Sequence, residues 1–317
     1  MVAIQDALQL DPAAPPARTA PGVRKRRNLR AYIAMAPFLA LYAVLIIIPT
    51  LGLLVKSVST NDSADLEILN PSLLAHTSFT LVNYQALFTQ SANVTTILTT
   101  IVVALIAVGL TVIIGTPISY QLAVDRARLT GATSWVLSLP IYMPTVVIAF
   151  ALVLLFGPNG ILNAATSAVG IPVWDISYTS IAVVLGTVYV LVPLYVRMLT
   201  AAFAKVPGDL TDASMSLGAG EFRTLVKVVL PVVRPTIIAA VILDFAFAVG
   251  MVEIALIVGG GPLNVPYLPV DILERSTTFA PDIPLTAAMA MVLVAIALLG
   301  QLLVGRLNKE ASSSAAR

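Results

Sequence analysis

Long apolar stretches without charge alternate along this chain with short segments that carry nearly all of its charged residues. Six of these stretches reach the roughly 20 residues that a helix needs to cross a bilayer core of about 30 Å. They cover approximately residues 32–55, 94–122, 134–156, 179–196, 235–258 and 284–304. The pattern therefore predicts an all-α integral membrane protein with six transmembrane helices.

The charge-free region from Leu129 to Trp174 is longer than one span. The run Gly157-Pro158-Asn159-Gly160 interrupts it with residues that are typical of a turn. We therefore expect one span that ends near Phe156, followed by a loop-like segment that does not cross the membrane.

Composition supports a membrane protein and excludes several kinds of site. Of the 317 residues, 58% are hydrophobic and 11% are charged, whereas a soluble domain usually carries about 25% charged residues. The chain has no cysteine and one histidine, His76. Disulfides, thiolate chemistry and Cys-ligated metal centres are therefore excluded, and no histidine cluster is available for a metal.

The positions of the basic residues predict the orientation. All of the 18 Lys and Arg residues except Lys56 and Arg275 fall in the two terminal segments or in the second and fourth loops. Since basic loops stay in the cytoplasm, both termini are predicted to be cytoplasmic. We divide the chain into a disordered basic leader (1–30), a transmembrane domain (31–307) and a cytoplasmic tail (308–317).

The loop at about 205–231, between the fourth and fifth spans, has the strongest local pattern on the predicted cytoplasmic side. Asp209 is a favourable N-cap for a helix from Leu210, and Asp212 lies where a capping-box acid would stand. Gly218 is placed to end this helix in a left-handed conformation. A second helix is expected from about Gly220 until Pro231 stops it.

Small residues dominate the first of these two helices. Ala213, Ser214 and Gly218 would let the groove of another protein approach the backbone closely. A loop that merely connects two spans would have the same composition. The residues by themselves leave both interpretations open.

The spacing in this loop resembles that of the integral-membrane subunits of binding-protein-dependent ABC importers. Their cytoplasmic pattern is Glu-Ala-Ala, three residues, Gly, nine residues, Ile, one residue and Leu-Pro. Here Asp212-Ala213-Ser214 is followed at the same spacing by Gly218, Val228 and Leu230-Pro231. Asp, Ser and Val are conservative departures. Asn83-Tyr84, shortly before the second span, also resembles a pair that this family carries.

The resemblance implies a type I importer fold in the bacterial inner membrane. The implied partners are a second, related permease subunit that forms a heterodimer with this chain, two cytoplasmic ATPase subunits and an extracytoplasmic solute-binding protein. ATP and Mg²⁺ would bind the ATPase subunits, and no cofactor is expected on this chain. Since the chain lacks a phosphate-binding Gly-Lys-Ser or Gly-Lys-Thr loop, we expect it to have no enzymatic activity of its own.

Two acids, Asp244 and Glu253, fall within the predicted fifth span without a basic residue beside them. Acids at this depth normally face a bundle interior or water, so both are candidates for lining a substrate pathway. Nine residues of straight helix separate them by roughly 180°. A kink at Gly250 would be needed for both to face one pore. A structural role for either acid is the alternative.

The unpaired acids favour a cationic solute, and the resemblance is nearest to polyamine- and ferric-ion-type permeases. A phosphonate, a sugar or a sugar phosphate is the alternative solute, and a homodimer of permeases is the alternative assembly. Two other classes remain open, namely a secondary transporter or channel driven by an ion gradient and a purely structural membrane subunit.

Overall fold

A computed structural model describes residues 29–60, 78–124, 132–157, 159–170, 176–279 and 282–315. The predicted disordered leader lies outside these residues, except for its last two positions, which are helical. The helices are α1 (Leu29–Tyr42), α2 (Ile48–Ser57), α3 (Val82–Thr89), α4 (Ser91–Val124), α5 (Ala132–Tyr142), α6 (Thr145–Phe156), α7 (Ile161–Ala168), α8 (Ser180–Phe203), α9 (Gly208–Ser216), α10 (Glu221–Thr224), α11 (Leu230–Val249), α12 (Val252–Ile257), α13 (Leu268–Thr277) and α14 (Ile283–Ala315). Two π-helical turns, Ala43–Ile47 and Leu225–Val229, join α1 to α2 and α10 to α11.

The described residues contain six helical segments that are long and apolar enough to cross a membrane. These segments are Met35–Ser57, Ser91–Val124, Thr145–Ala168, Ser180–Phe203, Glu221–Val249 and Ile283–Leu303, and we number them spans 1 to 6. Apart from one isolated antiparallel bridge between Ser59 and Phe79, the described residues are helices and their connections. The predicted all-α membrane fold with six transmembrane helices is therefore confirmed.

The chain divides into two compact units, residues 1–49 and residues 50–317. In the described part of the first unit, α1 and the following π-turn carry large exposed apolar side chains, among them Phe38 and Leu45. Phe38 stacks on Tyr42 one turn later, with ring centroids 6.3 Å apart. Such a surface is stable in lipid or against another apolar surface.

The second unit is built around α8, which is the most buried of the six spans. Its outer half, including Val184 and Val188, packs in one cluster with α4, α6 and α12. Leu191 packs in a second cluster with α4 and α11. Towards the C-terminal end of α8, Tyr195 and Phe203 pack in a third cluster with α11. Because α8 contacts α4, α6, α11 and α12 along its length, it fixes how these helices lie relative to one another.

Helix α4 packs closely on α8 and keeps its own polar side chains satisfied. Thr96, Thr100, Thr111 and Ser119 each donate a hydrogen bond to the carbonyl four residues earlier. This internal bonding lets hydroxyl groups lie at membrane depth without an unpaired donor.

The tightest contact between α4 and α8 is at Gly115. A Cβ atom on Gly115 would lie 2.5 Å from Cδ1 of Tyr195, so no larger residue fits without a shift. The Tyr195 ring is fully buried, and its hydroxyl lies 2.9 Å from Oγ1 of Thr116. The glycine therefore lets a tyrosine ring fill the space between the two spans.

The third span is more divided than the sequence predicted. Helix α5 ends at Tyr142, Pro144 adopts an extended conformation (φ −57°, ψ 135°), and α6 begins at Thr145. The region beyond Phe156, expected to be loop-like, contains the helix Ile161–Ala168. The amide of Asn163 donates to the carbonyl of Gly157 at 2.9 Å and so closes the turn between α6 and α7.

The fifth span begins earlier than predicted, and its helix does not stop before Pro231. The chain is helical from Glu221 through the π-turn Leu225–Val229 into α11. Proline lacks an N–H and would clash with the carbonyl four residues earlier in an α-helix. The wider π-turn, closed by the Leu230 N–H on the Leu225 carbonyl, lies immediately before the proline and lets the helix continue.

We expect Gly115→Ala to lower the melting temperature of the detergent-purified protein, because overpacking at a buried site costs about 1–3 kcal/mol. Gly109→Ala is the matched control, since it lies in the same helix and its new Cβ meets no atom within 4 Å. Both changes gain the same helix propensity, so Gly109→Ala should hold or raise the melting temperature. Equal melting temperatures for the two variants would contradict the close packing.

Candidate functional site

Helix α9 forms the centre of the predicted cytoplasmic loop, and it begins two residues earlier than expected. Pro207 occupies the N-cap position without a side-chain cap, and Gly208 is the first helical residue. Asp209 therefore lies in the first turn, so the prediction that it is the N-cap was wrong. Its carboxylate still stands at the positive end of the helix dipole, where an anion is favourable. Asp212 lies one turn further along, and both acids are exposed.

The end of α9 at Gly218 matches the sequence-based expectation. Gly218 has φ +83°, a conformation that costs other L-residues energy and that glycine adopts freely. Its N–H donates to the Met215 carbonyl at 2.9 Å, and the Ala219 N–H donates to the Ser214 carbonyl at 3.2 Å. These two bonds form a Schellman motif, which ends the helix and reverses the chain towards α10.

A side-chain contact ties α9 to the beginning of span 5. The hydroxyl of Ser214 lies 3.0 Å from that of Thr224, which is buried. The sequence interpretation treated Ser214 as one of several small residues on an exposed face, whereas the structure leaves it half-buried. Ser214 therefore connects the two helices, whereas Ala213 and Gly218 remain exposed.

The outer surface of the loop is apolar as well as acidic. Leu217 is 89% exposed and Phe222 is 78% exposed, and Leu210 and Met215 are also exposed. Large exposed apolar side chains grouped around a helix end in a predicted cytoplasmic loop are typical of a surface that binds another protein. We call α9 together with Leu217, Gly218 and Phe222 the loop surface.

Leu230 and Pro231 do not belong to the loop surface. Leu230 is half-buried beside the cluster of Tyr195 and Val229, and Pro231 lies in the first turn of α11. The motif that runs from Asp212 to Pro231 therefore spans two structural parts. Its first half is exposed, and its second half anchors the loop in the membrane domain.

A cavity of about 580 Å³ lies between α9 and the ends of α4 and α8. Residues from the three helices line it, among them Tyr120, Phe203, Asp212 and Met215. Tyr120 and Phe203 meet edge to face with centroids 5.6 Å apart. The loop helix therefore stands away from the span ends instead of packing flat on them.

The structure separates the two acids of the predicted fifth span. Helix α11 ends at Val249, Gly250 and Met251 leave the helical conformation, and Glu253 lies in the short helix α12. The expectation that both acids share one helix was wrong, although the break occurs at the Gly250 position where a kink was expected. Glycine at this point frees the backbone to change direction.

Asp244 and Glu253 also differ in their surroundings. Asp244 is completely buried inside this one chain, and neither carboxylate oxygen has a hydrogen-bond partner. Glu253 is half-buried in the first turn of α12. Glu253 is therefore partly accessible in this chain, whereas Asp244 is not.

The sequence did not single out a set of polar contacts at the end of the domain away from the loop surface. Arg275 donates from Nε to Asp271 at 2.8 Å and from Nη2 to Asn93 at 3.4 Å, which connects α13 to α4. The i, i+4 spacing of Asp271 and Arg275 on a helix was the available signal.

A second polar contact joins Tyr267 to the end of α11. The Tyr267 hydroxyl donates to the Ala248 carbonyl at 2.6 Å. Burial raises the pKa of this phenol, so it stays a neutral donor.

The pair Asn83-Tyr84 closes the connection between spans 1 and 2. The Asn83 amide donates to the carbonyls of Ser57 and Ser59 at 3.1 and 2.8 Å. The Tyr84 hydroxyl lies 2.8 Å from the hydroxyl of Ser57. Asn83 therefore binds carbonyls at and just beyond the end of α2, where a helix leaves carbonyls without a partner, and Tyr84 binds the side chain of Ser57.

Comparison with known proteins identifies similar sequences along much of the chain. Residues 115–313 match the family described as the binding-protein-dependent transport system inner membrane component. This segment contains α8, the loop surface and both acids.

Two characterised groups of relatives transport different solutes. The molybdenum transport system permease protein ModB of Azotobacter vinelandii is 34% identical over 167 residues, which is 53% of this chain and 72% of that protein. The spermidine/putrescine transport system permease protein PotB of Escherichia coli K12 is 28% identical over 185 residues, 57% of this chain and 66% of that protein.

A solved structure has the same arrangement of helices. It is a bacterial ABC transporter involved in the import of the acidic polysaccharide alginate, with a TM-score of 0.68 and 17% sequence identity. The match covers 90% of this chain and 96% of the other. At this identity the likeness concerns the fold.

We expect Gly218→Ala to loosen the end of α9, because a left-handed conformation costs an L-residue about 1–2 kcal/mol. Hydrogen–deuterium exchange of the α9 amides should become faster in this variant. Gly220→Ala is the control, since Gly220 has φ −69° and accepts an alanine without strain. Equal exchange in the two variants would contradict the role of Gly218 in ending the helix.

Proposed function

Because the chain belongs to the family of binding-protein-dependent transport system inner membrane components, we propose that it is a transmembrane subunit of an ATP-driven importer. It would pass a small solute from an extracytoplasmic binding protein into the cytoplasm. The chain is a multi-pass protein of the bacterial inner membrane with the type I importer fold. The exposed loop surface is the observation that carries the proposal.

The loop surface is suited to bind a cytoplasmic ATPase subunit. Its exposed Leu217 and Phe222 offer apolar area, and Gly218 and Ala213 let a groove approach the backbone. Asp209 and Asp212 add negative charge at the edge. The sequence lacks a phosphate-binding loop, so ATP and Mg²⁺ would bind the separate ATPase subunits, one of which would hold this helix.

The connection from α9 to span 5 provides a physical path by which movement of an ATPase subunit would reach the membrane spans. A displaced α9 pulls on Thr224 through Ser214 and on the chain through the Schellman turn. From Glu221 the helix continues without a break to Val249. Because a helix is stiff along its axis, movement at the loop would tilt span 5 and open the pathway on one side of the membrane.

A second permease subunit would complete the pathway. Many apolar side chains on the spans are exposed in the single chain, including Leu98, Val102 and Ile106 of α4 and Ile181 of α8. These residues line an apolar groove of about 510 Å³. We propose a heterodimer with a related permease, with a homodimer as the alternative.

For the solute we propose a small cation of the polyamine class. Glu253 supports this choice, because its carboxylate is half-buried at the break of the fifth span and carries no ion pair among the described residues. A carboxylate in such a position attracts an ammonium group and repels an anion. The similarity to PotB is consistent with a polyamine.

A molybdate-type oxyanion is the second candidate solute. It is favoured by the similarity to ModB over 167 residues. An oxyanion would need donors from backbone N–H groups or from a basic side chain such as Arg275, which is already bonded to Asp271 and Asn93.

The proposed function is tested by reconstituting the permease with its ATPase subunits and binding protein in proteoliposomes. We expect uptake to require ATP and to continue when the proton gradient is collapsed. Gly218→Asp should abolish uptake with normal membrane insertion, because it places a charged, strained residue on the loop surface. Uptake that is lost with the proton gradient while ATP is present would support a secondary transporter instead.

The solute is tested in the same vesicles with Glu253→Gln and, as a control, Glu274→Gln. Glu274 is an exposed acid of α13. If the solute is a polyamine, Glu253→Gln should reduce spermidine uptake by about tenfold, which corresponds to roughly 1.4 kcal/mol, and Glu274→Gln should not. Molybdate uptake that neither variant changes would favour the oxyanion.

A further inference from the structure

Asp244 lies in the interior of this chain, five residues before the end of span 5 at Val249. It stands between the cluster that contains Tyr195 and Ala240 and the cluster that contains Leu191 and Phe245. Its side chain is fully buried, and both oxygens lack a hydrogen-bond partner. No role in binding the ATPase or in lining the pathway accounts for this position.

The helices packed against α11 are α4, α8 and α14, and among their described side chains no cation faces Asp244. Helix α4 has no charged residue. On α8, Arg197 is exposed and Tyr189 is 44% exposed. The charges of α14 follow Leu303, at its far end. The buried phenol of Tyr195 lies in the neighbouring cluster with Ala240 and makes no hydrogen bond to Asp244.

A charged carboxylate is unfavourable in such a place. An ionised carboxylate without a partner in an apolar interior costs several kcal/mol, so the group normally becomes neutral or reaches water. The neutral acid has a smaller cost, since it carries no net charge. The packed arrangement of span 5 therefore selects the protonated form of Asp244.

We propose that Asp244 is a protonation switch in span 5. It is neutral while α11 packs on α4 and α8, and it loses its proton when this packing opens. In that step the O–H bond of the carboxylic acid breaks, its electron pair stays on the carboxylate, and the proton passes to water. The reverse step accompanies repacking, so no other reactant is needed.

Polar groups extend from Asp244 towards the predicted cytoplasmic end. The Tyr195 hydroxyl lies 2.9 Å from Oγ1 of Thr116. One turn further along, Ser119 donates to the carbonyl of Gly115, and Thr200 donates to the carbonyl of Ser119 at 3.4 Å. Tyr120 then lines the cavity beneath α9. Water that enters from this cavity on opening would reach the carboxyl group along a polar seam.

The position of the switch links it to transport, and this part rests on the proposed function. Asp244 lies on the same continuous helix, Glu221–Val249, that begins beside the loop surface. Movement of the loop therefore alters the packing around Asp244. Conversely, ionisation of Asp244 disfavours the packed state, and one proton changes the ratio of the two states by at most about tenfold per pH unit.

The first experiment measures the acid itself in the purified full-length protein, without reference to transport. We expect the infrared C=O band of a protonated carboxylic acid near neutral pH, and its loss in Asp244→Asn. The melting temperature of the wild-type protein should fall as pH rises, because a group that is neutral in the packed state loses its stabilising effect when it ionises. Asp244→Asn should remove this pH-dependent fall, and Glu274→Gln should retain it.

The outcomes decide the proposal in either direction. A wild-type protein without the protonated-acid band, or an Asp244→Asn variant with the wild-type pH slope, would overturn it. Should Asp244→Asn fail to assemble, Asp244→Leu gives a second reading, because it puts an apolar side chain of similar size into a fully buried site without a hydrogen-bond partner. It should lack the protonated-acid band and the pH-dependent fall of the melting temperature. Retention of either feature would overturn the proposal.

Transport provides a separate reading in proteoliposomes with the complete importer. We expect wild-type uptake to vary with internal pH and Asp244→Asn to transport with a flat pH profile. If no variant transports any solute, the proposed function fails, and the infrared and stability results still decide the switch. If transport is normal and Asp244→Asn keeps the wild-type pH profile, the switch fails and the importer function stands.

Discussion

The close packing of α4 on α8 is the contact on which the rest of the membrane domain depends. Gly115 opens a space between the two helices, and the ring of Tyr195 fills it. From this pair, α8 extends contacts to α6 and α12 at one end and to α11 at the other. In lipid the hydrophobic effect does little to hold apolar helices together, so close packing and satisfied hydroxyl groups must supply the association.

Breaks in the helices place the functional residues at their positions. The Schellman turn at Gly218 turns the chain from α9 back to the membrane. The π-turn before Pro231 lets the helix of span 5 begin within the loop, at Glu221. The interruption at Gly250 then moves Glu253 out of the long helix. One polypeptide segment thus joins the exposed loop surface, a fully buried acid and a half-buried acid.

Asp244 and Glu253 show why burial matters more than hydropathy for the role of a membrane acid. Both are acidic residues in an apolar stretch, and sequence reasoning gave them the same kind of role. The structure buries one inside a single subunit and leaves the other half-exposed beside a helix break. The roles proposed for them follow from this difference, because an enclosed carboxyl group without a partner favours its neutral form, whereas a half-exposed one can be reached from outside the chain.

The sequence by itself determined the features that depend on local patterns. Six spans follow from apolar length, and the end of α9 follows from a glycine at a position that requires positive φ. The family follows from a motif of fixed spacing between Asp212 and Pro231. Each of these depends on residues that are close in the chain, so a single sequence is enough to see it.

Tertiary structure decided what depends on contacts between distant residues. The bond between Ser214 and Thr224, the filling of Gly115 by Tyr195 and the burial of Asp244 could not be foreseen from spacing. The passage of span 5 through Pro231 was also missed, because a wider helical turn can absorb a proline that local rules treat as a stop. Local patterns fix which segments are helices, whereas the packing of α4, α8 and α11 decides which polar groups meet water, a partner or each other.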